Sequence, residues 1–270
     1  MNAQGKMISC NVCGSEDFRR HMQCEGFSYV KCEGCGLAYQ NPQPLQDDID
    51  KMYEEDYFQF IINHQEAFFN LARLGLDDVG IDELMSEFPE NKRLLDIGCS
   101  TGLLLNHLRT KGWDTYGVEI CRQSVDYARN NFDLKIMDKP LEDCGFQKDY
   151  FQLIHLAHLI EHVPDPRRLM EETYRVLQPG GYVVITTPRA DGLFAKIHKE
   201  KWRLAIPDHL YLFSKNNLKS LMEQCGFTLL DQLSWGGIPI QISNGILKKF
   251  LDKWIKRLNI GDVMLYLARK

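Results

Sequence analysis

The chain has 270 residues, and its 44% hydrophobic and 26% charged content is typical of a globular protein with one large domain or a domain and a small module. A formal net charge of −5 and a pI of about 5.9 disfavour a broad nucleic-acid-binding surface. No apolar run reaches the ~18 residues of a membrane span, and no apolar leader segment opens the sequence. Nine cysteines in this context predict a reducing, cytoplasmic location without a disulfide framework.

Four of these cysteines form two C-x-x-C pairs near the N-terminus. Cys10 and Cys13 are separated by 18 residues from Cys32 and Cys35. Each pair can place two thiolates on one metal ion through a tight turn, and this spacing is typical of a zinc ribbon. A redox role is disfavoured because the βαβ context of redox C-x-x-C motifs is missing. The sequence therefore predicts a structural zinc site in a ribbon module over residues 1–45.

The stretch RLLDIGCSTG, residues 93–102, organises the remaining sequence. A short apolar strand contains Asp96, and a turn bracketed by Gly98 and Gly102 leads into a helix. Glycines in such a turn let the backbone approach a ligand at the carboxyl end of the strand. The turn matches neither the G-x-G-x-x-G of dinucleotide sites nor a P-loop. An acidic residue two positions before the first glycine disfavours a pyrophosphate and favours a cationic ligand.

Strands and helices alternate from this turn to about residue 188, which predicts a parallel sheet covered by helices on both faces. Two further strands are predicted near the C-terminus. The predicted strands after the first are Trp113–Val118, Leu134–Met137, Phe151–Ala157, Tyr182–Thr187, Phe227–Trp235 and Asp262–Ala268.

The D-x-G-x-x-x-G turn resembles motif I of the class I S-adenosylmethionine (SAM)-dependent methyltransferases, usually D/E-x-G-x-G-x-G, with Ser100 in place of the middle glycine. Residues 151–188 resemble the F-D-x-I, EH-x-x-D-P and P-G-G run of one branch of this family, with Gln152 replacing the common Asp. The W-x-x-x-x-P-x-H-L-x-x-F-S pattern from Trp202 resembles the same branch. The resemblance implies SAM as cofactor and, over 93–270, a Rossmann-like seven-stranded α/β sheet with an antiparallel last strand.

The resemblance places the cofactor contacts in the loops after the first three strands. Glu119 lies 23 residues after Asp96, at the end of the second strand, where a carboxylate can accept both ribose hydroxyls. An NAD site also uses an acidic residue here, so Glu119 alone does not choose between the two cofactors. Motif I would hold the amino-acid end of SAM, and Leu141 or Asp138 would contact the adenine. The predicted cofactor contacts are Asp96, Gly98, Cys99, Gly102, Glu119, Asp138, Leu141 and Tyr57.

The segment 46–92 is predicted as a helical linker or lid rich in aromatic residues. Packing of these aromatics in the core is the favoured interpretation. The resemblance raises a second one, in which Tyr53 and Tyr57 cover the cofactor, because a similar Y-x-x-x-Y stretch precedes the catalytic domain in ribbon-bearing methyltransferases.

Two histidines are candidates for the catalytic base that deprotonates an acceptor hydroxyl. His209 is the first candidate and lies in a long aromatic connection over 189–213, which is predicted to be a substrate lid. His158, just past the fourth strand, is the second candidate. His162 is predicted to brace the following proline turn.

The predicted reaction is methyl transfer to a small-molecule or sugar acceptor, most simply at a hydroxyl. Three alternatives remain open. One is an RNA methyltransferase with a zinc module, although the acidic charge balance makes nucleic acid an unlikely partner. Another is a metal-assisted enzyme that uses Glu161, His162 and a third carboxylate. The third is a non-catalytic SAM-binding or ribbon-mediated interaction protein.

The basic, amphipathic segment over 246–258 is predicted to be a helix within an insertion over 236–260. Such an apolar stripe packs on its own domain in most proteins, which is the favoured interpretation. Peripheral contact with a membrane surface through this helix is the alternative.

Overall fold

The computed structural model describes residues 5–51, 55–88, 92–236 and 253–270. Tyr53 and residues 246–252 of the predicted amphipathic helix lie outside these ranges, whereas residues 253–258 are helical. Among the described residues, no helix combines the length and the apolarity needed to cross a bilayer.

The strands, in chain order, are β1 (Phe18–Gln23), β2 (Ser28–Cys32), β3 (Ala38–Gln40), β4 (Arg93–Ile97), β5 (Asp114–Val118), β6 (Lys135–Met137), β7 (Phe151–Ala157), β8 (Leu177–Pro188), β9 (Tyr211–Leu212), β10 (Thr228–Trp235) and β11 (Val263–Arg269). The helices are α1 (Gln46–Lys51), α2 (Glu55–Asp78), α3 (Ile81–Leu84), α4 (Leu103–Thr110), α5 (Arg122–Phe132), α6 (Pro166–Val176), α7 (Leu193–His198) and α8 (Lys215–Gln224).

The large sheet has seven strands in the order β10-β11-β8-β7-β4-β5-β6. Strands β4 to β8 are parallel, and β11 runs antiparallel between β8 and β10. The predicted α/β sheet with an antiparallel last strand is therefore confirmed. The carboxyl ends of β4, β5 and β7 all lie at the same end of the sheet, because these neighbouring strands are parallel.

The large sheet lies between two helical layers, and the strands carry apolar side chains on both faces. Leu95 and Ile154 belong to one core cluster, and their chain neighbours Leu94 and Leu153 belong to the cluster on the opposite face. All four side chains are fully buried. This alternation follows from the two-residue period of a strand, and burial on both faces explains why these strands read as continuous apolar runs.

Helix boundaries follow the capping residues. Asp165 accepts a hydrogen bond from the Arg168 amide at 3.1 Å, and Pro166 occupies the first position of α6. Ser214 caps α8 in the same manner, since its Oγ accepts a hydrogen bond from the Asn217 amide at 3.2 Å. Strand β8 starts earlier than the predicted strand Tyr182–Thr187, at Leu177 instead of Tyr182. The Gly180 amide donates to Lys270 at the end of β11, and this pairing extends β8 through the Pro-Gly-Gly segment.

The N-terminal module forms a second sheet, whose order is β1-β2-β3-β9. Its fourth strand comes from the predicted substrate lid, because Tyr39 pairs with Tyr211 and Ala38 with Leu212. The ribbon is therefore joined to the lid by a sheet as well as by the chain. Sequence spacing does not predict this pairing, since the two segments are more than 170 residues apart.

Helix α2 packs across α4 and α5 through several of its aromatic side chains. The Phe69 ring lies 5.4 Å from His107 on α4, and Phe58 lies 6.4 Å from Tyr127 on α5. Phe58 and Phe69 therefore pack as the favoured interpretation predicts, whereas Phe60 and Phe68 of the same helix are exposed.

Candidate active site

The turn after β4 has the backbone that its glycines predict. Gly98, Ser100 and Gly102 all have positive φ, at 76°, 53° and 76°. The amides of Gly98 and Cys99 donate to the Val118 carbonyl of β5 at 2.8 and 3.1 Å. The turn is thereby tied to the carboxyl ends of two adjacent strands, where α/β sheets bind their ligands.

Packing fixes the glycines on both sides of the turn. A Cβ on Gly102 would lie 2.5 Å from Leu134 Cδ1 and 3.1 Å from Ala128 Cβ, so any larger residue would force the buried Leu134 side chain to move. A Cβ on Gly98 would lie 3.3 Å from Leu159. Because Leu159 directly follows His158, the motif I turn and the loop after β7 are in contact.

Glu119 braces this turn from β5. Its Oε2 accepts a hydrogen bond from the Ser100 amide at 2.9 Å, and its Oε1 accepts one from the Cys121 amide at 2.8 Å. The side chain is buried, and burial raises the pKa of Glu119. A carboxylate oxygen carries two lone pairs, so both oxygens can still accept a ligand hydroxyl.

Asp96 has a partner that the sequence analysis missed. His155, its direct neighbour on β7, donates from Nδ1 to Asp96 Oδ1 over 2.7 Å, and both side chains are buried. The one sequence feature that could have revealed this pair is the single histidine within the apolar run FQLIHLA. Such a residue needs a polar partner when a strand is buried on both faces.

The other predicted cofactor residues lie in different environments. Cys99 is buried within the turn, and burial raises the pKa of its thiol. Leu141 is buried in the core, whereas Asp138 is exposed. The Asp138 carboxylate Oδ2 lies 3.7 Å from Arg129 Nη1. Tyr57 is half-buried near the start of α2. The structure thus gathers Asp96, Gly98, Cys99, Gly102 and Glu119 around one turn, and places Leu141, Asp138 and Tyr57 outside it.

The loop after β7 carries His158 in a strained backbone conformation. Its φ is 52°, which is uncommon for a residue other than glycine, and its side chain is 37% exposed. His158 Nδ1 lies 3.4 Å from Glu161 Oε1. That contact is too poorly aligned to count as a hydrogen bond, so Glu161 Oε1 has no hydrogen-bond partner among the described residues.

Glu161 is a carboxyl group buried in the protein interior. Its Oε2 accepts a hydrogen bond from Thr187 Oγ1 at 2.8 Å. Burial raises the pKa of Glu161, but the contact with His158 and the charges of the neighbouring histidines outweigh burial and lower the pKa to about 2.

His162 and His209 complete this cluster from two different loops. Their rings meet edge to face with centroids 4.7 Å apart. His209 Nδ1 donates to the Leu204 carbonyl at 2.7 Å, while the buried Nδ1 of His162 has no partner within the described chain. Burial lowers the pKa of both residues, to about 4 for His162. The ligand atoms of Glu161, His162 and His209 all lie within 4.8 Å of one another.

The ribbon holds the backbone of His209 in place. The single Oη–H of Tyr29 is shared between the His209 carbonyl at 2.8 Å and the Ile206 carbonyl at 3.1 Å. Gln40 Nε2 donates to the carbonyls of His209 and Pro207 at 2.9 and 2.6 Å. Both ribbon side chains are buried. No sequence motif marks Tyr29 or Gln40, because their role depends on the long-range pairing of the ribbon with the lid.

The four predicted zinc ligands converge. Cys10 Sγ lies 3.4 Å from Cys35 Sγ, Cys13 Sγ lies 3.4 Å from Cys32 Sγ, and all four sulfurs lie within 4.8 Å of one another. A tetrahedral zinc site with Zn–S bonds of ~2.3 Å requires sulfurs about 3.8 Å apart. All four are free thiols, so the donor set and spacing fit a structural zinc ion.

Comparison with known proteins agrees with this geometry. A family model described as a methyltransferase domain matches residues 75–232, which include both the turn and the histidine cluster. Among curated proteins, the ubiquinone biosynthesis O-methyltransferase of Coxiella burnetii is 29% identical over 103 residues, which are 36% of this chain and 44% of that protein. The enzyme of the same name from Idiomarina loihiensis is 30% identical over 124 residues, or 44% of this chain and 49% of that protein. The chain thus spans less than half the length of these curated relatives.

Solved structures share the fold. A SAM-dependent methyltransferase from Archaeoglobus fulgidus superposes with a TM-score of 0.57 at 20% identity and covers 80% of this chain and 100% of its own. A Thermotoga maritima protein described as a possible histamine N-methyltransferase has a TM-score of 0.56 at 19% identity and covers 79% and 98% of the two chains. At these identities the likeness shows the fold alone.

Proposed function

Because the chain belongs to the family of methyltransferase domains, we propose that it transfers the methyl group of SAM to a hydroxyl of a small-molecule or sugar acceptor. The observation that carries the proposal is the turn over 98–102, whose positive-φ residues and partner Glu119 leave a ligand cradle at the carboxyl edge of the sheet. Gly98 has a φ of 76° and carries no side chain, so its backbone is left bare for a closely approaching ligand.

The cofactor roles follow from the positions of these residues. Asp96, which His155 orients, and Gly98 would hold the amino-acid end of the cofactor, and Glu119 would accept the ribose hydroxyls. When bound, SAM supplies a methyl group on a positively charged sulfur. Carboxylates suit such a cation, whereas they would repel the pyrophosphate of NAD.

Between the two histidines, geometry favours His158 as the base. His158 is exposed at the carboxyl end of β7. Its amide donates a hydrogen bond to the Thr186 carbonyl of β8 at 2.8 Å. His209 is only 5% exposed and keeps one ring nitrogen on the Leu204 carbonyl. This proposal therefore makes His158 the first candidate for the base, whereas the sequence analysis placed His209 first. His158 would take the hydroxyl proton, and His209 would stay buried beside Glu161 and His162.

The support for a hydroxyl acceptor is chemical and comparative. A hydroxyl needs a base, and the site offers histidines, whereas an amine acceptor needs little beyond positioning. The curated relatives are named as O-methyltransferases of ubiquinone biosynthesis. Their match covers less than half of their length, so the acceptor is proposed only as a class.

The ribbon is proposed to hold structural zinc through Cys10, Cys13, Cys32 and Cys35. A site with four thiolates is closed, so zinc there would fold the module and leave the chemistry to the methyltransferase domain. We retain 1–45 as the ribbon, 46–92 as the linker and 93–270 as the catalytic domain. Strand β9 extends the ribbon sheet into the lid over 189–213.

Calorimetric titration of zinc-replete protein with S-adenosylhomocysteine tests this proposal, with NAD as the control ligand. We expect micromolar binding of S-adenosylhomocysteine and no binding of NAD. Absence of S-adenosylhomocysteine binding in folded protein would reject the methyltransferase function and favour an interaction role for the ribbon.

A further inference from the structure

The cluster of Glu161, His162 and His209 has the composition of a metal site. Two imidazoles and one carboxylate place their ligand atoms within 4.8 Å of one another, and the residues come from the loop after β7 and from the lid. Two histidines and one carboxylate on one face of an ion form a common arrangement for divalent transition metals, with the remaining positions open. The sequence anticipated Glu161 and His162 with a third carboxylate, and the structure places His209 there instead.

Two atoms of this cluster are buried without the partners that buried polar atoms normally have. Glu161 Oε1 and His162 Nδ1 are both inaccessible to solvent, and neither makes a hydrogen bond within the described residues. A buried ring nitrogen without a hydrogen bond costs free energy, and the poorly aligned contact of Glu161 Oε1 with His158 at 3.4 Å compensates the buried carboxylate oxygen only in part. A bound cation would satisfy both atoms at once.

The other contacts of these residues resemble the supporting contacts of metal ligands. His209 Nδ1 donates to the Leu204 carbonyl, which leaves Nε2 as the nitrogen with a free lone pair. Glu161 Oε2 is held by Thr187 Oγ1, which leaves Oε1 available. The His209 backbone is fixed in turn by Tyr29 and Gln40 of the ribbon. Ligand orientation is thus set before an ion binds.

We propose that Glu161, His162 and His209 bind one divalent transition-metal ion that coordinates the hydroxyl oxygen of the acceptor. Solvent lies nearest to the cluster on the side of His158, whose ring is 37% exposed with its Nδ1 3.4 Å from Glu161 Oε1. The site is separate from the four-cysteine site of the ribbon. The inference rests on the proposed methyl transfer and deepens it, because it restricts acceptors to molecules that can place a hydroxyl oxygen on a metal.

The chemistry of this step balances without an added reactant. Coordination to the metal lowers the pKa of the acceptor hydroxyl, and its proton passes to His158 and then to water. The oxygen forms a bond to the methyl carbon while the carbon–sulfur bond breaks. The electron pair of that bond returns to sulfur, which leaves neutral S-adenosylhomocysteine and the methyl ether.

The test is Mn²⁺ binding to protein that holds a single zinc per chain, in the four-cysteine site, after dialysis has removed more weakly bound zinc. Binding is measured by the loss of the free Mn²⁺ signal in electron paramagnetic resonance. Mn²⁺ prefers oxygen and nitrogen ligands over thiolates, so the ribbon does not compete for it. A second readout is the zinc content after dialysis at buffered free Zn²⁺. We expect about one Mn²⁺ per chain and a second zinc beyond that of the ribbon.

Glu161→Gln and His209→Ala should weaken Mn²⁺ binding by at least about 100-fold and remove the second zinc. Glu171→Gln and His198→Ala are matched controls at exposed positions and should bind as the unmodified chain does. The inference is overturned if neither ion binds at the second site, or if both ligand variants bind them as tightly as the controls. Titration with S-adenosylhomocysteine separates the two proposals, because cofactor binding does not require the metal cluster.

Discussion

The proposed cofactor side of the site and its proposed acceptor side are built in different ways. The cofactor side is one continuous stretch over 93–102, completed by Glu119 from the next strand of the sheet. The acceptor side joins the loop after β7, the lid and the ribbon, whose Tyr29 and Gln40 hold the backbone of His209. The first region is set by local backbone geometry, and the second depends on contacts between distant segments.

The largest expected effect concerns proton transfer on the acceptor side. His158→Ala should lower kcat for methyl transfer about 100- to 10,000-fold, because a positioned base contributes that much. Binding of S-adenosylhomocysteine should stay unchanged, since the residue lies outside the motif I turn. The measurement is transfer of labelled methyl from SAM to an acceptor found by screening small hydroxyl compounds. His21→Ala, an exposed histidine on β1 outside the lid, is the matched control. A loss below about threefold for His158→Ala would remove His158 as the base.

The cofactor side is tested by adding one methyl group to its turn. Gly102→Ala should lower the free energy of unfolding by about 2–4 kcal/mol, because a positive φ and a Cβ 2.5 Å from Leu134 both oppose the side chain. Gly112→Ala is the control, since Gly112 has a φ of 89° with open space around it. It should cost only the backbone term of about 1–2 kcal/mol. Equal losses in chemical denaturation would show that packing does not fix the turn.

The link between ribbon and lid is tested by two tyrosines of the ribbon. Tyr29→Phe should cost about 1–2 kcal/mol, because the hydroxyl donates to two carbonyls of the lid. Tyr39→Phe should change stability by less than about 0.5 kcal/mol, since the buried Tyr39 hydroxyl has no hydrogen-bond partner in the described part of the chain. Thermal or denaturant unfolding compares the two variants. An equal loss of unfolding free energy in both variants would show that the Tyr29 hydroxyl does not stabilise the contact between ribbon and lid.

The sequence predicted the turn over 98–102 better than the surroundings of His209 for a physical reason. The parallel α/β sheet and the turn at Gly98 and Gly102 depend on the alternation of strands and helices or on neighbours within a few residues. The convergence of the four cysteines was also predictable, because ligand spacing constrains it.

Contacts between distant segments were not predictable from spacing. The buried pair of Asp96 and His155 depends on which strands are neighbours in the sheet. The cluster around His209 depends on the pairing of β3 with β9, which no local pattern announces. Residues such as Gln40 therefore show a role only after the chain is folded.

The most direct test of this comparison is hydrogen exchange of the whole chain with and without zinc. Chelation of zinc under reducing conditions should speed exchange of the amides over 206–212 about 10-fold or more, because the ribbon that holds them loosens. Exchange over 98–102 and S-adenosylhomocysteine binding should stay as they were. Equal protection of 206–212 in both states, or equal loss of protection in both regions, would contradict the account.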